Sequence, residues 1–201
     1  MSTVTEATDD TDAPARTRRL STTDLALVAA FAALIAVCSY LAAIPISSGV
    51  PITLQSFAVL LAGLTLGPVR GFLAVCLYLL LGLVGLPVFA GHTSGAAVFN
   101  GPTAGYLYSF PIAALVAGLL VKYVAGVRRT RAVFVLVAAV VATVVNHAGG
   151  IIGLRTVLDL SWRQAAKIDA PFWVGDLVKA AVAAIVAAEV HRAFPQLLKR
   201  G

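Results

Sequence analysis

Charge is scarce in this chain. Of its 201 residues 12% are charged and 60% hydrophobic, with a mean hydropathy of +0.94. The apolar runs recur too often for one soluble core. Cysteine is nearly absent: Cys38 and Cys76 stand far apart inside apolar runs without metal-ligand neighbours, and read as buried, inert thiols. His92 has no second histidine nearby, which argues against a zinc site. No Gly-Lys-Ser/Thr tripeptide occurs, so the chain carries no phosphate-binding P-loop and no visible ATPase machinery.

What the chain does have is apolar length. A spanning helix needs about 20 mostly apolar residues, and such runs cover roughly 24–44, 52–66, 70–86, 104–124, 132–154 and 172–193. The second and third are short and are parted only by Gly67-Pro68, a strong helix terminator. The pattern predicts an all-α, polytopic membrane protein with six transmembrane helices. Residues 1–20 are polar, rich in Thr and Asp, with Pro14 and no apolar period; they read as a disordered cytoplasmic tail. A membrane domain over 21–194 and a short cytoplasmic tail over 195–201 complete the expected organisation. No signal peptide is expected, because the first apolar run is of spanning length and lacks a small-residue cleavage site.

The net charge of +6 would suggest nucleic acid in a soluble protein. Here it has a better explanation, and no nucleic-acid partner is expected: Lys and Arg collect in cytoplasmic loops. Arg16, Arg18 and Arg19 precede the first run, Arg70 sits in the turn between the second and third, Lys122, Arg128, Arg129 and Arg131 follow the fourth, and Arg192, Lys199 and Arg200 end the chain. With six helices all of these share one side. The other side has Arg155, Arg163 and Lys167, accompanied by Asp159 and Asp169. Both termini are therefore expected in the cytoplasm.

This topology locates the polar residues. Gln55 opens the second run from outside. The uncharged connection from Pro87 to Thr103 is an outer loop holding Gly91, His92, Thr93, Ser94, Gly95 and Asn100, and Tyr106 and Tyr108 follow it. Asp176 lies roughly 6 Å into the last run, at about 1.5 Å per residue, and Asn146 roughly 21 Å into the fifth from the inner side. No comparable polar cluster is expected in the inner halves, so the polar residues converge on an outward-facing pocket.

Each constellation has a plain structural alternative. An intramembrane acid and base three residues apart share one helix face, and such residues are costly unless paired and functional. Asp176 and Lys179 suit a neutral polar head that both donates and accepts, such as a ureido or amide group; the alternative is a mutually neutralising pair. The segment Gly91–Tyr106, with its glycines and proline, is a ligand loop or a re-entrant connector. Gln55 is a ligand contact or an interhelical hydrogen bond. Asn146 and His147 could serve as a proton relay or metal ligand, but a lone histidine without acidic company in the sequence reads as a packed, hydrogen-bonded residue. Ala26, Ala29, Ala30, Ala33 and Ala36 put small residues on the first helix, for bundle packing or for docking an external helix.

Four stretches taken in order resemble the BioY family, the biotin-specific substrate-binding (S) components of energy-coupling-factor (ECF) transporters: PITLQSFAVLLAGLTLGP (51–68), LGLVGLPVFAG (81–91), GPTAGYL (101–107) and GDLVKA (175–180). The ordered set spans residues 51–180, and the resemblance extends over most of residues 25–190. The resemblance implies a six-helix S-component fold, biotin as transported substrate, and no cofactor. It also implies partners: a transmembrane coupling protein and two ABC-type ATPases, with Ala29 and Ala33 facing the coupling protein. Asp176 and Lys179 match the family's biotin-contacting acid and base. Thr93 falls where a relative has a loop asparagine that reaches the ligand, and Gln55 and Tyr106 match pocket-lining positions. A stand-alone secondary carrier and, further off, an integral membrane enzyme are the rival readings. Repeats expected of the first and a nucleophile–base set expected of the second are both missing from the sequence.

Overall fold

The computed structural model describes residues 20–41, 49–125 and 132–195. Apart from Leu20 and Pro195, the tails expected over 1–20 and 195–201 lie outside them, as do most of the basic residues used for topology. The described residues form seven α-helices: α1 Thr22–Tyr40, α2 Gln55–Leu66, α3 Pro68–Leu83, α4 Ala104–Leu119, α5 Ala132–Val157, α6 Trp162–Asp169 and α7 Phe172–Ala193. Among them there is no strand, only an isolated bridge between Phe89 and Thr93. Five helices and α7 coincide with the six apolar runs. The seventh, α6, is an addition, because its eight residues (WRQAAKID) carry no apolar run to reveal it.

Local chemistry sets the boundaries. Ser21 caps α1 by accepting from Asp24 N at 3.2 Å, while the Asp24 carboxylate accepts from Ser21 N at 3.0 Å, a reciprocal capping box. The Gly67-Pro68 break is real: Gly67 takes φ +83°, open to glycine at no steric cost, and Pro68 starts α3 where its missing N–H is harmless. The same capping box at Ser161 and Gln164 starts α6.

By length and composition α1, α4 extended to Tyr123, and α5 are long and apolar enough to cross a membrane; α6 and α7 pass that test together across a 52° bend. At 12 and 16 residues, α2 and α3 reach only about 18 and 24 Å at 1.5 Å per residue, short of the roughly 30 Å hydrocarbon core.

The helix α4 runs through the middle, packed on α2, α3 and α5. Close approach is possible because a side chain at Gly105 would come within 2.3 Å of Gly149 O and 2.7 Å of Gly153 Cα, the small-residue contact typical of membrane bundles. The core divides in two. One end is aromatic and branched, with Ile35, Tyr78, Phe89, Phe110, Leu154 and Phe172. The other is alanine-rich, with Ala113, Ala117, Ala139, Ala142, Ala184 and Ala187.

Arg70 corrects a sequence expectation. It is not a loop charge but a buried residue of α3, 1% exposed. Its Nε donates to Leu66 O at 3.0 Å and its Nη1 pairs with Asp24 Oδ1 at 3.1 Å. The guanidinium sits at the α2 C-terminus, where carbonyls lack helical partners.

Candidate ligand-binding site

At the aromatic end a cavity of about 280 Å³ opens between α2, α4, α5, α7 and the loop after α3. Its walls are largely apolar, including Val50, Phe89, Leu107, Phe110 and Phe172, and a few polar groups converge on them. That is the usual character of a small-molecule pocket.

The polar wall centres on Asp176 and Lys179, one turn apart at the start of α7. Lys179 Nζ donates to Asp176 Oδ1 at 2.8 Å, to the Thr53 carbonyl at 2.6 Å and to Ser56 Oγ at 3.3 Å. Ser56 Oγ donates to Asp176 Oδ1 at 2.8 Å. The second carboxylate oxygen, Oδ2, lies 3.2 Å from His147 Nε2. That contact is electrostatic rather than a well-aligned hydrogen bond. The pair is thus held by α2 and α5 as well as by its own helix.

A second carboxylate stands behind the first. Asp169, at the end of α6, accepts from Tyr106 Oη at 2.6 Å and Trp173 Nε1 at 2.8 Å, and both its oxygens lie within 2.9 Å of His147 Nδ1. The His147 ring stacks on Trp173 at 4.1 Å. Two sequence expectations change here. Asp169 is no loop charge but 1% exposed, and His147 has two acidic neighbours, not none. Both carboxylates come from segments far along the chain, so sequence adjacency could not show them.

A model of the BioY family matches residues 12–196 of this chain. The chain belongs to the BioY family. It is 42% identical to the biotin transporter BioY of Rhodobacter capsulatus over 192 residues, which cover 89% of this chain and 98% of the relative. It is 39% identical to the probable biotin transporter BioY of Pyrococcus horikoshii, covering 82% of this chain and 93% of that one. Its fold matches a crystal structure of the S-component for biotin from an ECF-type ABC transporter with a TM-score of 0.80 and 26% identity, covering 87% of this chain and 95% of that one. The all-helical S-component fold expected for this BioY-family chain is therefore present, and the chain is a multi-pass membrane protein.

Asp176, Lys179, Gln55, Tyr106 and Thr93 all line the cavity of this BioY member. Gln55 and Tyr106 spend polar atoms elsewhere: Gln55 Nε2 donates to Tyr78 Oη, and Tyr106 Oη is taken by Asp169. Thr93 Oγ1 donates to Ala90 O at 3.0 Å. Asn100 is not among the lining residues; it is exposed and its amide donates to Ala96 O at 3.3 Å. Asn146 lines the cavity and accepts from Ser109 Oγ at 2.8 Å. His92 is exposed, with its ring 4.4 Å from Tyr40.

Reading the sequence missed Ser56, the Thr53 carbonyl, Asp169 and Trp173. Ser56 directly follows Gln55, and Asp169, Trp173 and Asp176 fall at helical spacing (i, i+4, i+7). That spacing was the available signal, hidden because the polar segment around Asp169 carries no apolar pattern.

Proposed function

We propose that this chain is the biotin-binding subunit of an ECF-type transporter, holding biotin at the Asp176–Lys179 wall for uptake. Its family makes it a transport subunit, not an enzyme. One observation supports the site most: an acid and a base, oriented by Ser56 and Thr53, face an otherwise apolar cavity. Biotin presents a ureido group, with N–H donors beside a carbonyl acceptor, on an apolar bicycle with an aliphatic tail. An ionised carboxylate offers about four lone-pair sites and an ammonium three donors. The unused acceptor capacity of Asp176 Oδ2 suits a ureido N–H. The longest of Lys179's three contacts, Ser56 Oγ at 3.3 Å, is the one a ureido carbonyl replaces. Gln55, Tyr106 and Thr93 contact the ligand from the cavity walls, and Asn100 closes the loop that carries Thr93.

The remaining organisation follows this reading. Six crossings are formed by α1 to α5 and the α6–α7 elbow, within a membrane domain over 21–194. The short α2 and α3 complete theirs with the non-helical residues 49–54 and 84–88 that flank them. The tails over 1–20 and 195–201 are cytoplasmic, in a bacterial inner membrane, and the cavity opens outward. The chain works with an ECF module. On α1, Ala29 and Ala33 are exposed while Val28, Ala32 and Ile35 fill the core, so the small-residue face is where the transmembrane coupling protein docks. ABC-type ATPases on that module hydrolyse ATP.

Equilibrium binding of labelled biotin to the purified single chain tests this directly. Saturable binding at micromolar concentration or below, without ATP, is expected. Its absence would overturn the reading.

A further inference from the structure

We infer that His147 and Asp169 are positioning residues, which act on the ligand through Asp176 without touching it; the inference rests on the biotin reading above. His147, Asp169 and Trp173 do not line the cavity, whereas Asp176 and Tyr106 do. They stand directly behind it.

The geometry forms a chain from the α6–α7 elbow to the pocket. Asp169 gathers three groups from three helices: Tyr106 Oη of α4 at 2.6 Å, His147 Nδ1 of α5 at 2.8 Å and Trp173 Nε1 of α7 at 2.8 Å. An ionised carboxylate only accepts hydrogen bonds, so the Nδ1 position carries a hydrogen directed at Asp169. Stacking on Trp173, with 17° between the ring planes, fixes the imidazole's tilt. Its opposite edge then has one place to point, and Nε2 meets Asp176 Oδ2 at 3.2 Å.

A bare nitrogen lone pair against a carboxylate oxygen is repulsive. The arrangement is stable when Nε2 also carries a hydrogen, since both ring nitrogens are donors in the imidazolium. The four groups Asp169, His147, Asp176 and Lys179 then balance as two negative and two positive charges. All four are at least mostly shielded, with side chains 1% exposed for His147 and Asp169, 10% for Asp176 and 14% for Lys179. Unbalanced charge in such a place is strongly unfavourable. Asp176 is thereby engaged at both oxygens, Oδ1 by hydrogen bonds from Ser56 and Lys179 and Oδ2 by the charge of His147 at 3.2 Å. A ligand N–H meets an acceptor already in place, and preorganisation of this kind raises affinity by lowering the cost of ordering.

A purely structural role predicts something different: looser packing of the elbow and a loss of affinity that does not depend on residue 176. A double-mutant cycle separates the two. Biotin affinity of the full-length chain is measured in detergent for Asp169→Asn and His147→Phe, each in the native background and with Asp176→Asn, alongside thermal unfolding. Asn keeps the shape of Asp, and Phe keeps the stack on Trp173 while losing both ring nitrogens.

Each change is expected to weaken biotin binding by about tenfold or more in the native background, as for loss of a charge-assisted contact. In the Asp176→Asn background each is expected to add no more than about twofold, the shortfall from tenfold being the coupling through Asp176. His147→Gln, which keeps an amide donor, is expected to recover part of the affinity lost in His147→Phe. Equal losses in both backgrounds would overturn the inference while leaving the biotin reading intact. Should His147→Phe not give a monodisperse protein, the Asp169→Asn pair decides alone. Absence of saturable binding by the unaltered chain would overturn the biotin reading itself, and the positioning role with it.

Discussion

At one end of the bundle Arg70 Nη1 meets Asp24 Oδ1 at 3.1 Å; at the other Lys179 Nζ meets Asp176 Oδ1 at 2.8 Å. Each carboxylate is shielded, and each is further engaged by a serine, Ser21 in one case and Ser56 in the other. Their surroundings separate them. Asp24 is three residues from its serine, caps the start of α1, and its pair ties that start to α3 beside the last turn of α2. Asp176 takes its serine from 120 positions away and a histidine from α5, and forms part of a cavity wall. A shielded ion pair therefore does not mark a site by itself. What marks one is a pair with acceptor capacity left over, turned toward space a ligand can enter.

The Arg70–Asp24 pair puts charge at the end opposite the cavity as well. It is a clamp at the helix termini, not the start of a pathway.

The largest expected effect is on ligand affinity. Asp176→Asn removes a charge-assisted acceptor, worth about 1.5–3 kcal/mol or roughly 10–100-fold in affinity, and biotin titration of the purified variant reads it. Asp159→Asn is the control, since Asp159 is exposed and its replacement is expected to leave affinity unchanged. Equal losses for the two would place Asp176 outside the pocket.

Next in size, Arg70→Met strands the Asp24 carboxylate. That pair sits shallowly at a helix start, so the expected stability loss is about 2 kcal/mol, between the values for exposed and buried pairs. Thermal unfolding measures it, and biotin affinity of the folded protein is expected to stay within about twofold, as for well-separated sites. A parallel collapse of affinity would mean that the two ends are coupled.

Replacing both partners, with Asp24→Asn and Arg70→Met, removes the stranded charge while Asn keeps an acceptor for Ser21 N, and is expected to regain most of that stability, about 1 kcal/mol or more. A double variant no better than the single one would show that contacts of Arg70 other than the ion pair, its hydrogen bond to Leu66 O among them, stabilise the clamp.

The smallest effect on the pocket comes from Ala29→Leu with Ala33→Leu. Biotin affinity is expected to be unchanged while co-purification with the coupling protein is lost, because larger side chains prevent close helix approach. A variant that still assembles would make that face ordinary lipid-exposed surface.

Much of the fold was legible because spanning helices announce themselves locally. Apolar length, the Gly67-Pro68 break and Ser21 as a cap each act within a few residues. Asp176 and Lys179 were legible for a related reason: charge inside an apolar run is costly enough to be conspicuous. Gln55 and Tyr106 were placed at the cavity from their family positions, but their polar atoms serve Tyr78 and Asp169, a pairing that depends on which helices neighbour which. The short helix α6 gives no apolar signal, so nothing in the sequence separates Asp169 from a loop charge.

Composition and spacing are enough to make this an all-helical membrane protein with six apolar helices and a break at Gly67-Pro68, and to put one acid–base pair within an apolar wall. These are matters of local hydrogen bonding and of transfer from water to hydrocarbon, which composition and spacing encode directly. It takes the packed fold to bring Ser56 and His147 to that pair, to bury Asp169 behind it, and to make Arg70 a clamp on helix ends rather than a loop charge. Those outcomes depend on the packing of helices distant in sequence, where each charged group must find a partner that no local pattern names.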